Sequence, residues 1–305
     1  MVTLVFLFLI RHNSSVVYTP QRLDWSVTVR DLPVDLNLFS VFLNPKGEVT
    51  FSCAAPNTLQ IAVEGCGIKR LSPAKVMVQG PAQPGHYRGE VSLLDRPGKM
   101  QLNVFVLTPF DGKQEQVGGY RLGKYPDKPL KNLDIYKPPK GFFMLTPEQE
   151  NIPISPHFTL GQFICKQSSG YPKAVMVREA LLLKLESLLE RANQKGYHCT
   201  TLTVMSGFRT PHYNRSIGNV AYSRHQWGGA ADVYIDVAPR DGNMDDLNGD
   251  GKIDQADAQI LADLVEQLER ERACTIGGLG LYSANSSHGP FVHVDVRGFR
   301  ARWNK

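Results

Sequence analysis

A proline-rich segment at residues 126–140 divides the chain into two parts whose sequence patterns differ. The segment contains four prolines. Proline has no backbone N–H to donate, and it favours an extended chain. We therefore predict a linker here, between one domain at residues 23–125 and a second domain at residues 141–305.

The residues before the linker form short runs with the composition of β-strands. The clearest runs are residues 25–29, 49–52, 75–78 and 103–107. Turn-forming sequences such as NPKG at 44–47 and RPG at 96–98 separate them. No convincing helical period is present. This pattern predicts an all-β, sandwich-like domain.

Beyond the linker the chain alternates between helical and strand patterns. Residues 175–195 carry leucines at helical spacing and are followed by Gly196, a residue typical of helix C-termini. A second amphipathic helix is predicted at residues 256–272. Strands are predicted at residues 201–205, 277–282 and 291–296. The second domain is therefore predicted to be α+β.

The overall composition is that of a folded, globular protein. The chain has 305 residues, of which 42% are apolar, and a formal net charge of +5. These values argue against disorder and against collagen-like or coiled-coil architectures. The positive charge is too small to indicate nucleic-acid binding, and no nucleic-acid motif accompanies it.

The cysteines are few and unclustered. There are five, Cys53, Cys66, Cys165, Cys199 and Cys274, and no CxxC sequence occurs. A cysteine zinc finger or a thioredoxin-like site is therefore improbable. Cys53 and Cys66 would close a short loop. A disulfide between them and buried, reduced thiols are the two alternatives.

The N-terminus begins with an apolar run, VTLVFLFLI, at residues 2–10. A helix this short cannot cross a membrane, which needs about 20 residues. The run resembles the apolar core of a secretory signal, although no basic residue precedes it and no clear cleavage site follows. We predict an export signal or anchor within residues 1–22, with an N-terminal strand as the alternative.

Three polar segments in the second domain carry residues suited to metal binding. They are SGFRTPHYN at 206–214, SRHQWGGAAD at 223–232 and HGPFVHVDVR at 288–297. His225, Asp232 and His293 supply imidazole and carboxylate groups, which zinc prefers, and three ligands would leave one position open. His293 and Asp295 are two residues apart on a predicted strand, so both face the same side.

These three segments resemble the zinc D-alanyl-D-alanine peptidases of the M15 family. The matching elements are SGFR at 206–209, Ser223-x-His225-x₆-Asp232 and FVHVD at 291–295. The resemblance covers about residues 158–303. It implies a zinc peptidase domain of α+β class preceded by the β-sandwich-like domain.

The resemblance also implies a role for each matching residue. His225, Asp232 and His293 would bind the catalytic zinc, and Arg209 would polarise the scissile carbonyl and bind substrate. Ser223 would either help to hold substrate or make a local backbone hydrogen bond.

The general base departs from the family pattern. Many members have a carboxylate three residues before the last ligand, where this chain has Pro290. His288 and Asp295 are the two candidates for the base. Asp295 has a further alternative, which is to orient a ligand histidine.

Residues 246–257 match the spacing of an EF-hand calcium loop. The predicted structural calcium site consists of side-chain oxygens of Asp246, Asn248, Asp250 and Asp257 and the carbonyl of Lys252, with Gly251 at the sharp turn. Position 12 is Asp257 in place of the commoner Glu. The alternative is a metal-free turn rich in Asp and Asn.

The sequence thus predicts a zinc-dependent peptidase of carboxypeptidase or endopeptidase type. Its substrates would be peptidoglycan stem peptides or cross-links, in the periplasm or outside the cell. Modest basicity suits an anionic cell wall, no nucleic-acid partner is expected, and a membrane tether would involve only the N-terminal segment. The alternative is a zinc-stabilised wall-binding protein that has lost its general base.

Overall fold

The computed structural model describes residues 17–237 and 239–305. The N-terminal apolar run at residues 2–10 and most of the predicted export segment at residues 1–22 lie outside the described residues. Within the described part, no helix combines the length and apolar character needed to cross a membrane.

Nine strands build the first part of the chain. They are β1 (Arg22–Val29), β2 (Leu32–Leu36), β3 (Leu38–Leu43), β4 (Glu48–Ser52), β5 (Leu59–Val63), β6 (Gly67–Ser72), β7 (Lys75–Gln79), β8 (Gly85–Leu93) and β9 (Met100–Val106). They form two sheets, with strand orders β2-β1-β4-β7-β6 and β3-β9-β8-β5. Neighbouring strands are antiparallel, except for the parallel pair β3 and β9.

One hydrophobic core lies between these two sheets. In β1 the side chains of Trp25, Val27 and Val29 alternate with exposed ones, so one face of the strand is buried. They join buried side chains of the second sheet, such as Val104 of β9, in a single cluster. The four strand runs named from the sequence lie at β1, β4, β7 and β9. The sandwich-like domain as a class stays a prediction.

Twelve further strands follow. They are β10 (Thr108–Pro109), β11 (Gln116–Val117), β12 (Tyr120–Arg121), β13 (Gly141–Leu145), β14 (Pro153–Ser155), β15 (Phe158–Thr159), β16 (Lys173–Val175), β17 (Thr203–Ser206), β18 (Ala230–Tyr234), β19 (Gly278–Tyr282), β20 (Phe291–Asp295) and β21 (Ala301–Asn304). The last five form one sheet in the order β17-β18-β20-β19-β21. This sheet positions the candidate site.

Three helices accompany the second group of strands: α1 (Glu179–Gln194), α2 (Pro211–Ser216) and α3 (Gln255–Arg270). The helix predicted from residue 175 begins four residues later, at Glu179, because Lys173–Val175 pairs with β13 as strand β16. It ends before Gly196, whose φ of +92° suits glycine. At α3 the Asp254 side chain caps the first turn by accepting from the Ala256 N–H.

A buried lysine joins α1 and α3 to the sheet. The Lys184 side chain is fully buried, and its Nζ donates to Glu269 Oε1 at 2.7 Å. It also donates to the carbonyls of Thr275 and Asp295, both at 3.1 Å. A buried ammonium needs such a full set of partners, because an unpaired one is costly. This contact fixes the end of β20, next to the candidate site.

The proline-rich segment packs against the second part of the chain. Tyr136 is buried, and its ring meets that of Trp227 edge-on at 5.3 Å. Trp227 Nε1 donates to the Lys137 carbonyl at 3.0 Å. The segment therefore connects the two parts without being a free tether. The domain boundaries stay a prediction.

The two parts of the chain also contact each other directly. Arg30 Nη1 pairs with Glu179 Oε1 at 2.7 Å, and that oxygen also accepts from the Phe42 N–H at 3.2 Å. The Phe105 ring of β9 meets Phe143 of β13 edge-on at 4.9 Å. The first part therefore packs onto α1 and β13.

All five cysteines are free thiols. Of the two alternatives for Cys53 and Cys66, the disulfide is therefore wrong. Both are half-buried, and burial raises the pKa of each thiol. The fold accordingly depends on its cores and not on cross-links.

Candidate functional site

The five-stranded sheet places two of the predicted ligands, Asp232 and His293, in one row across its strands. The register pairs Ser206 with Asp232, Asp232 with His293, and His293 with Gly280. On the far side Gly280 pairs with Trp303 of β21. Directly paired residues point to the same face of a sheet. Strand pairing therefore brings together residues that are far apart in the sequence.

The remaining predicted ligand, His225, lies in a short 3₁₀ helix at Arg224–Trp227. Gly228 ends this helix with a φ of +62°, and a Cβ there would lie 2.3 Å from the Met176 carbonyl oxygen. Glycine is therefore required at this turn, which leads the chain into β18. After this turn the His225 side chain is buried.

Three ligand atoms converge at this point. His225 Nε2 lies 3.1 Å from Asp232 Oδ1 and 3.1 Å from His293 Nδ1, and His293 Nδ1 lies 2.9 Å from Asp232 Oδ1. Tetrahedral zinc with bonds of about 2.0–2.1 Å has ligand atoms about 3.3 Å apart. Among the described residues, this buried His–Asp–His group is the one cluster of His, Cys, Asp or Glu side chains close enough together to hold a metal ion. The donor set and spacing fit zinc.

Hydrogen bonds on the outer side of each imidazole fix the nitrogen that faces the centre. His225 Nδ1 donates to the Gly207 carbonyl at 2.6 Å, which leaves Nε2 with its lone pair inward. His293 Nε2 lies 3.3 Å from Asp295 Oδ2, which leaves Nδ1 inward. Metal-binding histidines are commonly oriented by such outer partners. Both rings therefore present an acceptor nitrogen to the same point.

The electrostatics of the group also suit a cation. Burial and the nearby Arg209 charge lower the pKa of His225 to about 4, so its ring is neutral at pH 7. Burial opposes ionisation of Asp232, but His225, His293 and Arg209 outweigh it and hold its pKa well below the usual value. For His293, burial lowers the pKa, but Asp232 and Asp295 outweigh this effect and raise it. The centre thus contains a carboxylate between two imidazoles.

Arg209 is placed beside the centre by two contacts. Its Nε donates to Ser206 Oγ at 2.7 Å, and its Nη2 donates to Asp232 Oδ2. It therefore anchors the Asp232 oxygen that points away from the histidines. Ser206 belongs to the SGFR motif at residues 206–209, but the sequence predicted no role for it. The predicted contact of Arg209 with substrate stays a prediction.

The Asp295 carboxylate is buried and, besides His293 Nε2, has four donors around it. It accepts from the N–H groups of Gly278 at 2.7 Å and Arg297 at 3.0 Å. The Arg297 guanidinium adds Nε at 2.9 Å and Nη2 at 2.5 Å. Burial opposes ionisation, but His293 and Arg297 outweigh it and hold the pKa of Asp295 far below its usual value. A carboxylate with this many hydrogen bonds is better suited to orienting His293 than to acting as the general base. Sequence reasoning gave Arg297 no role.

His288 and Ser223 lie outside the ligand group. The His288 ring Nδ1 donates to the Gly289 carbonyl at 2.8 Å, and Nε2 accepts from Asn285 Nδ2 at 2.7 Å. Ser223 is the N-cap residue of the 3₁₀ helix, where its backbone carbonyl accepts from Gln226 and its side chain makes no capping hydrogen bond. Their predicted roles as base and substrate contact stay predictions.

The predicted calcium loop adopts a turn closed by its own side chains. Asp246 Oδ1 accepts from the Gly249 N–H at 2.8 Å, and Oδ2 accepts from Gly251 at 2.8 Å. Gly251 has a φ of +82°, as the sharp turn requires. Asn248 Oδ1 accepts from Asp250 at 2.8 Å.

Asp257 closes the loop from the first turn of α3. Its Oδ1 accepts from Leu247 at 2.8 Å and Asn248 at 3.2 Å, and its Oδ2 accepts from Asp254 at 2.8 Å. These donors occupy about three of the four lone-pair positions of the carboxylate. Two-oxygen binding of calcium by Asp257 would compete with them. The calcium site stays a prediction.

The comparison with protein families agrees with the resemblance seen in the sequence. Residues 156–247 match the family model described as Peptidase M15. The matched segment contains Arg209, His225 and Asp232, while His293 follows it on β20. The chain therefore carries a domain of the M15 peptidase family, whose members depend on zinc. No curated protein matches the chain.

Proposed function

We propose that the protein is a zinc-dependent peptidase that cleaves peptidoglycan stem peptides or their cross-links. The observation that carries this proposal is the convergence of His225 Nε2, Asp232 Oδ1 and His293 Nδ1 inside an M15 family domain. Zinc held by these atoms would supply Lewis-acid chemistry and activate water for attack on a peptide carbonyl. A cell-wall substrate implies a periplasmic or extracellular location.

The chain's own residues would prepare the site for this reaction. Gly207 and Asp295 hold the two imidazoles with their acceptor nitrogens inward. Arg209 uses Nε and Nη2 to hold Ser206 and Asp232, and no acceptor is found for its Nη1 among the residues described. That nitrogen is free to bind a substrate oxygen. A fixed guanidinium charge there would favour the negative charge that develops in the transition state.

One observation favours the alternative, a zinc-stabilised wall-binding protein. The two carboxylates at the centre, Asp232 and Asp295, are both engaged, and Pro290 stands at the position where many family members have the base. His288 is the remaining candidate for a base. His288→Ala should lower kcat if His288 acts as the base, and should leave it unchanged if it does not.

Digestion of purified peptidoglycan separates the two functions. We expect the zinc-loaded protein to release D-alanine or muropeptide monomers, and we expect a chelator to stop the release. Analysis of the products by chromatography and mass spectrometry would also distinguish carboxypeptidase from endopeptidase action. Binding to peptidoglycan without any product would contradict the peptidase and favour the binding protein.

We also propose that calcium binds the loop at residues 246–257 and stabilises the insertion between Asp232 and His293. Metal-stripped protein reloaded with zinc should gain thermal stability when calcium is added, because calcium binds only the formed loop. Asp250→Asn should reduce this gain, since a charged ligand is lost. An unchanged melting temperature on adding calcium would show a metal-free turn.

A further inference from the structure

Two aromatic residues, Tyr282 of β19 and Trp303 of β21, lie beside the His–Asp–His group. The cross-strand register places Gly280 between His293 and Trp303. A Cβ on Gly280 would lie 2.3 Å from Trp303 Nε1. The missing side chain therefore gives the indole room to approach His293, and the two ring centroids are 5.1 Å apart.

Tyr282 lies on the same face of the sheet, two residues beyond Gly280. Its ring stacks on Phe291 with centroids 4.5 Å apart and an angle of 10° between the planes. Its Oη accepts a hydrogen bond from Trp303 Nε1 at 3.0 Å. Stacking and this hydrogen bond together fix where the hydroxyl lies.

The Tyr282 hydroxyl proton has no hydrogen-bond acceptor among the described residues. The indole N–H is a donor only, so Oη uses a lone pair in that contact and keeps its own proton. Within residues 17–237 and 239–305, no protein acceptor is found for this proton. The ring is only half-buried, so a ligand can supply the missing acceptor.

The charges of the centre act on this hydroxyl. Burial raises the pKa of Tyr282, the Trp303 hydrogen bond lowers it, and the Asp232 and Arg209 charges act in opposite directions. The net effect is a raised pKa, so the hydroxyl is protonated at neutral pH. It is a neutral donor within electrostatic reach of Asp232.

We propose that Tyr282 is a further catalytic residue, whose hydroxyl donates a hydrogen bond to the scissile carbonyl oxygen as negative charge develops on it. Trp303 is a positioning residue that orients this hydroxyl. The proposal rests on the proposed peptidase function. Arg209, next to β17 and β18, and Tyr282, on β19, would then reach the substrate from opposite sides of the His293 strand.

The test is Tyr282→Phe, which removes the hydroxyl and keeps the stacked ring. Loss of one donor to a developing oxyanion costs about 10²–10³ in rate. We expect kcat on a muropeptide to fall by about 10²-fold, with KM and zinc content nearly unchanged. Tyr87→Phe is the matched control, because Tyr87 lies in the β-rich part and donates to the Gln83 carbonyl. It should leave kcat unchanged.

Trp303→Phe tests the positioning role. It keeps the Tyr282 hydroxyl but removes the hydrogen bond that orients it, so kcat should fall less than in Tyr282→Phe. The double variant should be no slower than Tyr282→Phe alone, because both changes act through one hydroxyl. Independent, additive losses would contradict this role for Trp303.

Binding of a phosphinate pseudopeptide separates this proposal from the proposed function. A phosphinate presents tetrahedral, anionic oxygens without being cleaved, and its affinity for zinc-loaded protein should fall in Tyr282→Phe as kcat does. Wild type that binds the phosphinate but cleaves nothing would contradict only the peptidase. Unchanged kcat and affinity in Tyr282→Phe, or loss of zinc from it, would overturn the role of Tyr282. Wild type that neither binds nor cleaves would overturn both.

Discussion

His225→Ala should abolish zinc binding and reduce peptidase activity to the level of metal-free protein. His225 Nε2 is 3.1 Å from both other ligand atoms, and its ring is buried, so water cannot readily replace it with the same geometry. We expect activity to fall by about 10³-fold or more, which corresponds to about 4 kcal/mol of transition-state stabilisation. Elemental analysis and muropeptide release measure the two effects.

An exposed histidine provides the control for this variant. His198 has a positive φ of +44°, which asparagine tolerates, so His198→Asn changes a histidine away from the centre without straining the backbone. It should keep both zinc and activity. Zinc retained in His225→Ala at the wild-type level would show that the metal is bound elsewhere.

Asp295→Asn should weaken zinc binding through His293, without removing a ligand. The carboxylate orients His293 Nε2 and pairs with Arg297, and an amide would place an N–H group opposite one of these donors. Loss of such an outer partner costs about 10–100-fold in metal affinity or activity. We expect a zinc affinity lower by that factor, measured by competition with a chelating dye.

The zinc dependence of activity distinguishes the two roles considered for Asp295. If it orients His293, excess zinc should restore much of the activity of Asp295→Asn. If it is the general base, the variant should stay inactive when fully loaded with zinc. Asp263→Asn is the control, because Asp263 is exposed on α3 and accepts only from Gln259 in the contacts found for the described residues.

Much of the secondary structure followed from local patterns. The leucines of α1 are buried apart from the partly buried Leu183, and the alternating residues of β1 face one core, because a helix and a strand each bury one side at their own period. The start of α1 was placed too early, because residues 173–175 form a strand through pairing with β13. Such pairing depends on distant residues and leaves little local signal.

Some residues of the candidate site were predictable from the sequence, and others only from the structure. His225, Asp232 and His293 were predictable as a set because imidazole and carboxylate groups occurred in segments that resemble one family. The role of Trp303 was not predictable, since it depends on a contact across the sheet. Ser206 and Arg297 contact residues only three and two positions away, but side-chain direction, which the sequence does not fix, decides both contacts. The preference for Asp295 as an orienting group also required its burial and the donors around it.

The sequence by itself determined the chemistry that is available: two imidazoles, a carboxylate, a nearby guanidinium, and glycines where the backbone turns sharply. Only the tertiary structure decided which nitrogen of each imidazole faces the centre and which carboxylate is already occupied. The physical reason is that hydrogen-bond partners and burial set the orientation and charge of a side chain. Several of these partners are distant in the sequence: Gly207 lies 18 residues from His225, and Gly278 lies 17 residues from Asp295.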